Sequence, residues 1–289
     1  MSGLRFLYDS PVGRACLRML IRPWPSRLAG AFLNTGLSRL MIPGFIRRND
    51  MDMSDYVLRP YRSFNDFFTR ELKPGARSLD ADEQALMAPC DARLSVYSIG
   101  KDNLFRVKGQ AYTVADLLGF SGGSDGPQDE DDPLSDLLAL ELSLQGGTAL
   151  VFRLCVDDYH RYVYFDDGAQ GEHVHIPGEF HTVRPAALAR VRVLARNSRE
   201  FCVLETAHFG RCIQVEVGAM MVGRIRNHRA SCAFRRGEEK GMFLFGGSTV
   251  VVLLGPEAVT LRPDAEAIRD QDTEIQVRLG EAIGRVGKV

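Results

Sequence analysis

The chain has 289 residues and a mass of 32.1 kDa, with 45% hydrophobic and 25% charged residues. This is the make-up of a folded domain, and it excludes a disordered chain, a collagen-like repeat and a small disulfide scaffold. The net charge of -1 hides an asymmetry, because residues 1–48 carry eight arginines against the single acid Asp9, a charge of +7, and the rest of the chain sums to -8; a basic first segment on an acidic body points to an anionic surface nearby.

Val12, Ala15, Cys16, Met19 and Leu20 recur at helical spacing and predict an amphipathic helix over 12–20, with Arg14, Arg18 and Arg22 aligned on another face. Pro23-Trp24-Pro25 is expected to break it. A second helix is expected from Ser26, as N-cap, to Met41, ahead of Pro43-Gly44. The pair reads either as a helical cap with a solvated arginine face or as an interfacial pair. In the second case the arginines meet lipid phosphates and Trp24 lies at headgroup depth. No apolar run approaches the roughly 18 residues of a membrane span, and no cleavable leader is visible.

Phe64–Phe68 predicts a short helix, and Leu72-Lys73-Pro74-Gly75 a turn. Strands are expected beyond it. Ala149–Val156 and Thr249–Leu254 are continuous apolar runs, whereas Ala189–Ala195 and Arg211–Val217 alternate. The stretch 121–136, with three glycines, Pro127 and six acids, lacks the ligand order of a calcium loop and reads as a solvated, flexible loop. Cysteines 16, 90, 155, 202, 212 and 232 show no Cys-x-x-Cys pair, so they read as reduced thiols of a cytosolic protein with no zinc site.

Three short segments carry chemistry. In Phe245-Gly246-Gly247-Ser248-Thr249, two glycines open backbone angles closed to other residues, and on spacing alone this reads as a tight turn or bulge. Asp157-Asp158-Tyr159-His160-Arg161 leaves the end of a predicted strand, and its neighbours make His160 an acid–base candidate. Ala88-Pro89-Cys90-Asp91-Ala92 sets one carboxylate after a proline turn.

In order along the chain, these pieces resemble the phosphatidylserine decarboxylase family, which is pyruvoyl-dependent. Phe64-Asn65-Asp66-Phe67-Phe68-Thr69-Arg70 with Leu72–Arg77 is similar to its N-terminal signature. Pro89-Cys90-Asp91-Ala92 is similar to its Pro-x-Asp-Gly segment, with alanine for glycine. Val107–Thr113 with Leu117-Leu118-Gly119 resembles another stretch, Asp158–Arg161 its histidine motif, and Gly247-Ser248-Thr249 its self-cleavage site.

The resemblance implies an α+β protein. Its basic helical segment, over 1–60, would associate with membrane, and its β-rich catalytic domain of barrel-sandwich type would span 61–289. Ser248 would attack the Gly247 carbonyl, elimination would split the chain between 247 and 248, and hydrolysis would leave a pyruvoyl group in place of Ser248. That ketone would take up the electrons released as the serine headgroup of phosphatidylserine loses carbon dioxide. By resemblance His160 is the acid–base residue of decarboxylation, and Asp91 orients or polarises during self-cleavage; no metal or nucleic acid is implied. The enzyme would work as a peripheral protein on the cytoplasmic face of an anionic membrane, its two fragments together; a homo-oligomer is allowed.

One departure stands out: a second histidine that many members carry three residues after the first is here Val163. Three answers stay open: His160 serves both steps, another group substitutes, or maturation is impaired. His181 is the preferred substitute; His173 and His175 read as ordinary strand positions, and His208 and His228 have no supporting pattern. The rival functions are a decarboxylase of a related serine lipid and an uncleaved, non-catalytic lipid-binding relative.

Overall fold

A computed structural model describes residues 3–120, 133–220 and 224–287. The predicted acidic loop lies largely outside the described residues; its end, from Pro133, opens a helix, Pro133–Ser143.

The N-terminal segment is a run of short helices: Gly3–Asp9, Pro11–Leu20, Pro23–Leu33, a 3-10 turn at Gly36–Met41, and Ile42–Arg48. Ser10 caps the second of these by accepting a hydrogen bond from the Gly13 N–H. The expected boundaries need correction. Pro23 starts a helix instead of ending one, because the first turn needs no N–H and its φ suits proline. Ser26 is therefore inside the helix, and the helical run is interrupted at Asn34–Thr35.

Leu17 and Ile21 anchor this layer inward, and the Ile21 carbonyl accepts the Phe180 N–H. Asp9 pairs with Arg190 on the body. The predicted apolar stripe faces away from the core: Val12, Met19 and Leu20 are exposed, as are Trp24, Leu28 and Phe32 on the next helix. Among the described residues no helix is long and apolar enough to cross a membrane.

The body is β-rich, so the class is α+β, and its sheets are open and antiparallel. The largest has nine strands. Along it run Cys232–Phe234, Gly168–Gln170, Arg199–Thr206, Gly210–Val217, Ser248–Leu254, Thr148–Leu154, Ala92–Ser98 and Ile275–Val277, with Val174–Ile176 also paired to Arg199–Thr206. Ser248–Leu254 lies at its centre with every residue buried, as its unbroken apolar run requires. Gly210–Val217 forms as expected, but it is covered on both faces from Cys212 onward.

The expected strand over 189–195 does not form. Pro185 starts one helical turn, Pro185–Leu188, and a second follows at Val193–Arg196. Val193 and Leu194 are adjacent and both buried, which one half-covered strand face cannot achieve. Three smaller sheets complete the body: a hairpin of Leu104–Val107 and Gln110–Thr113, a sheet of Ala85–Met87, Ala282–Val286 and Val259–Leu261, and a sheet of Ile225–Asn227, Glu239–Phe243 and Arg161–Val163. The last brings the histidine motif beside the strand that runs into Phe245–Ser248, where the Phe243 N–H donates to the His160 carbonyl.

Candidate active site

Ser248 opens the central strand opposite Leu154 and is fully buried, yet its hydroxyl has no hydrogen-bond partner. Leaving such a group unsatisfied costs about 1–3 kcal/mol, which an alanine would avoid, so the position calls for an explanation in chemistry. Ahead of it, Gly246 has φ +129°, a conformation that favours glycine. A side chain on Gly247 would stand 3.1 Å from Val183 Cγ2. A cavity of about 570 Å³ opens on both glycines; Leu154, Cys155, Val183 and Met220 give it apolar walls, and Arg153, Arg184 and Asp157 are its charged lining. Arg153 is held by Glu274 at 2.6 Å, and burial pushes the Cys155 thiol up.

His160 is fully buried beside this segment. Its Nδ1 lies 2.9 Å from the Asp158 carbonyl, which can only accept, so Nδ1 carries the proton and Nε2 presents a bare lone pair. Nε2 has no hydrogen-bond partner. Burial, with Arg70 adding repulsion, pushes the ring down to about 3, while the Gly246 backbone favours the charged form. The ring is therefore a neutral base at pH 7 with its acceptor nitrogen free.

The N-terminal signature builds the support for that ring. Ser63 caps the Phe64–Phe68 helix, and Phe68 packs on His160 with ring centroids 4.0 Å apart. Phe245 in turn packs on Phe68 and Phe64, at 5.0 and 4.9 Å. The Phe245 N–H donates to Asn65 Oδ1. Arg70, fully buried, donates to the carbonyls of Asp157 and Asp158 and stacks on Tyr56. These positioning roles escape sequence reasoning, since the partners lie 87 and 88 residues away.

Asp91 lies two strands from Ser248 at the same end of the sheet, a separation of roughly 10 Å by strand spacing. Its carboxylate is occupied by Arg77, at 2.6 Å, and by the Leu279 N–H. His181 is buried next to the cavity wall formed by Thr182 and Val183. Its Nε2 donates to Glu179 at 3.0 Å, and its Nδ1 accepts from Tyr8 of the first helix at 3.1 Å, so neither ring nitrogen is free. Val163 is buried in its strand, its N–H donated to the Pro89 carbonyl. The structure thus sets His160 beside the Gly246 backbone, with no hydrogen bond between its Nε2 and the Ser248 hydroxyl, and puts Asp91 and His181 in separate hydrogen-bond networks.

Burial also raises the Asp158 carboxyl to about 6, while one of its oxygens accepts the Cys155 N–H. Among the described residues, no three His, Cys, Asp or Glu side chains are grouped so as to hold a metal ion.

Comparison with known sequences decides the family. The pattern that describes phosphatidylserine decarboxylases matches residues 64–285. The chain belongs to the phosphatidylserine decarboxylase family. It is 39% identical over 282 residues to phosphatidylserine decarboxylase proenzyme 2 of Clostridium acetobutylicum, covering 97% of this chain and 91% of that one. It is 37% identical to the proenzyme of Ruminiclostridium cellulolyticum, covering 97% and 90%, and 34% identical to that of Desulfitobacterium hafniense, covering 97% and 91%. These decarboxylases are named as proenzymes, that is, as precursors.

Proposed function

We propose that the protein decarboxylates phosphatidylserine to phosphatidylethanolamine with a pyruvoyl group made from its own Ser248. The observation that carries the reading is the buried, unpartnered Ser248 hydroxyl behind a glycine held at φ +129°, with His160, neutral and unpartnered at Nε2, beside the Gly246 backbone. A hydroxyl with no partner in the folded chain is free to attack, and Nε2 is free to take its proton.

Ser248 Oγ attacks the Gly247 carbonyl carbon, and the Ser248 nitrogen leaves protonated, so an amide becomes an ester. Loss of the Ser248 α-proton then expels the Gly247 carboxylate, and addition of water with release of ammonia leaves the ketone at position 248. The same features are the fit for that group: a buried position next to the glycines that line a cavity, with Phe245 on the cavity wall and packed on Phe68. When present, the pyruvoyl ketone supplies the electron sink for loss of carbon dioxide. His160, positioned by Arg70 and Phe68, delivers and removes protons at Nε2. The apolar lining strips water from the carboxylate that is to be lost, and Arg153 or Arg184 keeps it oriented. His181 would have to release Tyr8 or Glu179 before acting, which favours His160 as the base of both steps. Asp91 then acts at a distance, by fixing Arg77 and the Leu279 turn.

The exposed apolar stripe of the first helices, with their arginines, suits a peripheral seat on the cytoplasmic face of an anionic membrane. Each arginine near such a surface contributes about 1 kcal/mol. The reading is tested on purified protein: two fragments and release of carbon dioxide from phosphatidylserine support it. A single uncut chain that binds lipid without turnover would favour a non-catalytic relative, and fragments active only on another serine lipid would change the substrate.

A further inference from the structure

A second cavity, of about 230 Å³, lies beneath the Pro23–Leu33 helix and shares only Phe245 with the cavity at Gly246–Gly247. Its polar lining is Ser26, Arg27, Asn34, Asn65 and Arg224, two cations and no acid. Among the described residues neither Arg27 nor Arg224 is in an ion pair or side-chain hydrogen bond. The second, independent observation is Ser26, which is 2% exposed and whose hydroxyl has no partner. Asn65 Nδ2 donates to Asn34 Oδ1, which leaves the Asn34 amide hydrogens unused by that bond. Every group left over can donate, as an anion of low charge with several oxygens requires.

We propose that this cavity holds the phosphodiester of the phospholipid substrate. The assignment rests on the lipid decarboxylase reading and deepens it by orienting the substrate. Trp24, Leu28 and Phe32 form the exposed stripe of the same helix, beside Arg27, so acyl chains leave toward the membrane as the phosphate enters. From phosphorus to the serine nitrogen is about four bonds, roughly 5 Å, and Phe245 and Ser248 are three residues apart, at most about 11 Å, with the chain bent at Phe245 and Gly246 between them. The assignment requires this bend to bring position 248 within the headgroup's reach of Phe245, the residue the two cavities share.

The test uses the mature, cleaved enzyme and short-chain phosphatidylserine dispersed as monomers, so that membrane attachment does not enter. Arg27→Gln and Arg224→Gln are each expected to raise KM about tenfold with kcat within about twofold, and Ser26→Ala to raise it less. Arg106→Gln, on an exposed hairpin, is expected to change neither. Binding is read separately by calorimetry on uncleaved Ser248→Ala protein, with glycerophosphoserine and inorganic phosphate as probes; the double arginine variant should bind both at least about tenfold more weakly. Unchanged KM in the double variant overturns the proposal, and so does a parallel loss of kcat or of cleavage, which would make the arginines structural. Weakened phosphate binding with unchanged KM would assign the cavity to a free anion and overturn the lipid assignment. A wild-type enzyme that leaves phosphatidylserine untouched refutes the underlying reading, and this assignment with it, before any substitution is made.

Discussion

Buried neutral His160 predicts a specific acid sensitivity. Below the ordinary histidine value of 6.5 the unfolded chain takes up a proton that the folded chain refuses until about pH 3. Folding stability therefore falls as pH drops through this window, by about 1.4 kcal/mol per unit. From 6.5 to 4.5 the loss is roughly 3 kcal/mol, and over the whole window roughly 5 kcal/mol. The perturbation is His160→Gln, which removes the titration, placed in a Ser248→Ala background so that both proteins remain single chains. Urea unfolding is followed at intervals from pH 7.5 to 4.5. Asp158, which burial raises to about 6, titrates in both proteins and cancels in the difference. The variant should lose about 3 kcal/mol less than its parent between pH 6.5 and 4.5. Parallel curves would refute the buried, neutral ring and, with it, the free Nε2 on which the proposed base depends.

His160→Ala is expected to slow self-cleavage about 10²–10⁴-fold, measured as uncut chain against time. His181→Ala should cleave at a rate near that of the wild type while melting at a lower temperature, since the ring joins Tyr8 to Glu179; blocked cleavage there would return the role of base to His181. Asp91→Asn weakens the part-buried pair with Arg77, which keeps Asp55 as its second partner, and should cost about 1–3 kcal/mol, read as a lowered unfolding midpoint. Gly246→Ala forces a side chain into φ +129° and should cost about 1–3 kcal/mol, with slower cleavage on the gel.

Much of this site was legible because its reactive parts are local in sequence. A serine after two glycines and a histidine among acids are each visible within five residues, and the apolar run after Ser248 announces a central strand. The supports are not local. Arg70 meets the histidine loop across 87 residues, and Tyr8 meets His181 across 173, and neither pairing leaves a trace in spacing or composition. Alternation misled at 189–195, where Pro185 and two adjacent buried residues turn the chain into helices. In the first helices periodicity finds the apolar stripe but cannot say what it faces; Leu17 and Ile21 take the inner side and leave the stripe exposed.

The most direct test of the account is the intact mass of the purified protein under denaturing conditions. Cleavage at Gly247-Ser248 predicts fragments of about 27 and 5 kDa, the smaller beginning with a pyruvoyl group, and a single full-length chain for Ser248→Ala. A wild-type chain still at 32.1 kDa after prolonged incubation with anionic vesicles, or a Ser248→Ala chain that splits, would contradict it.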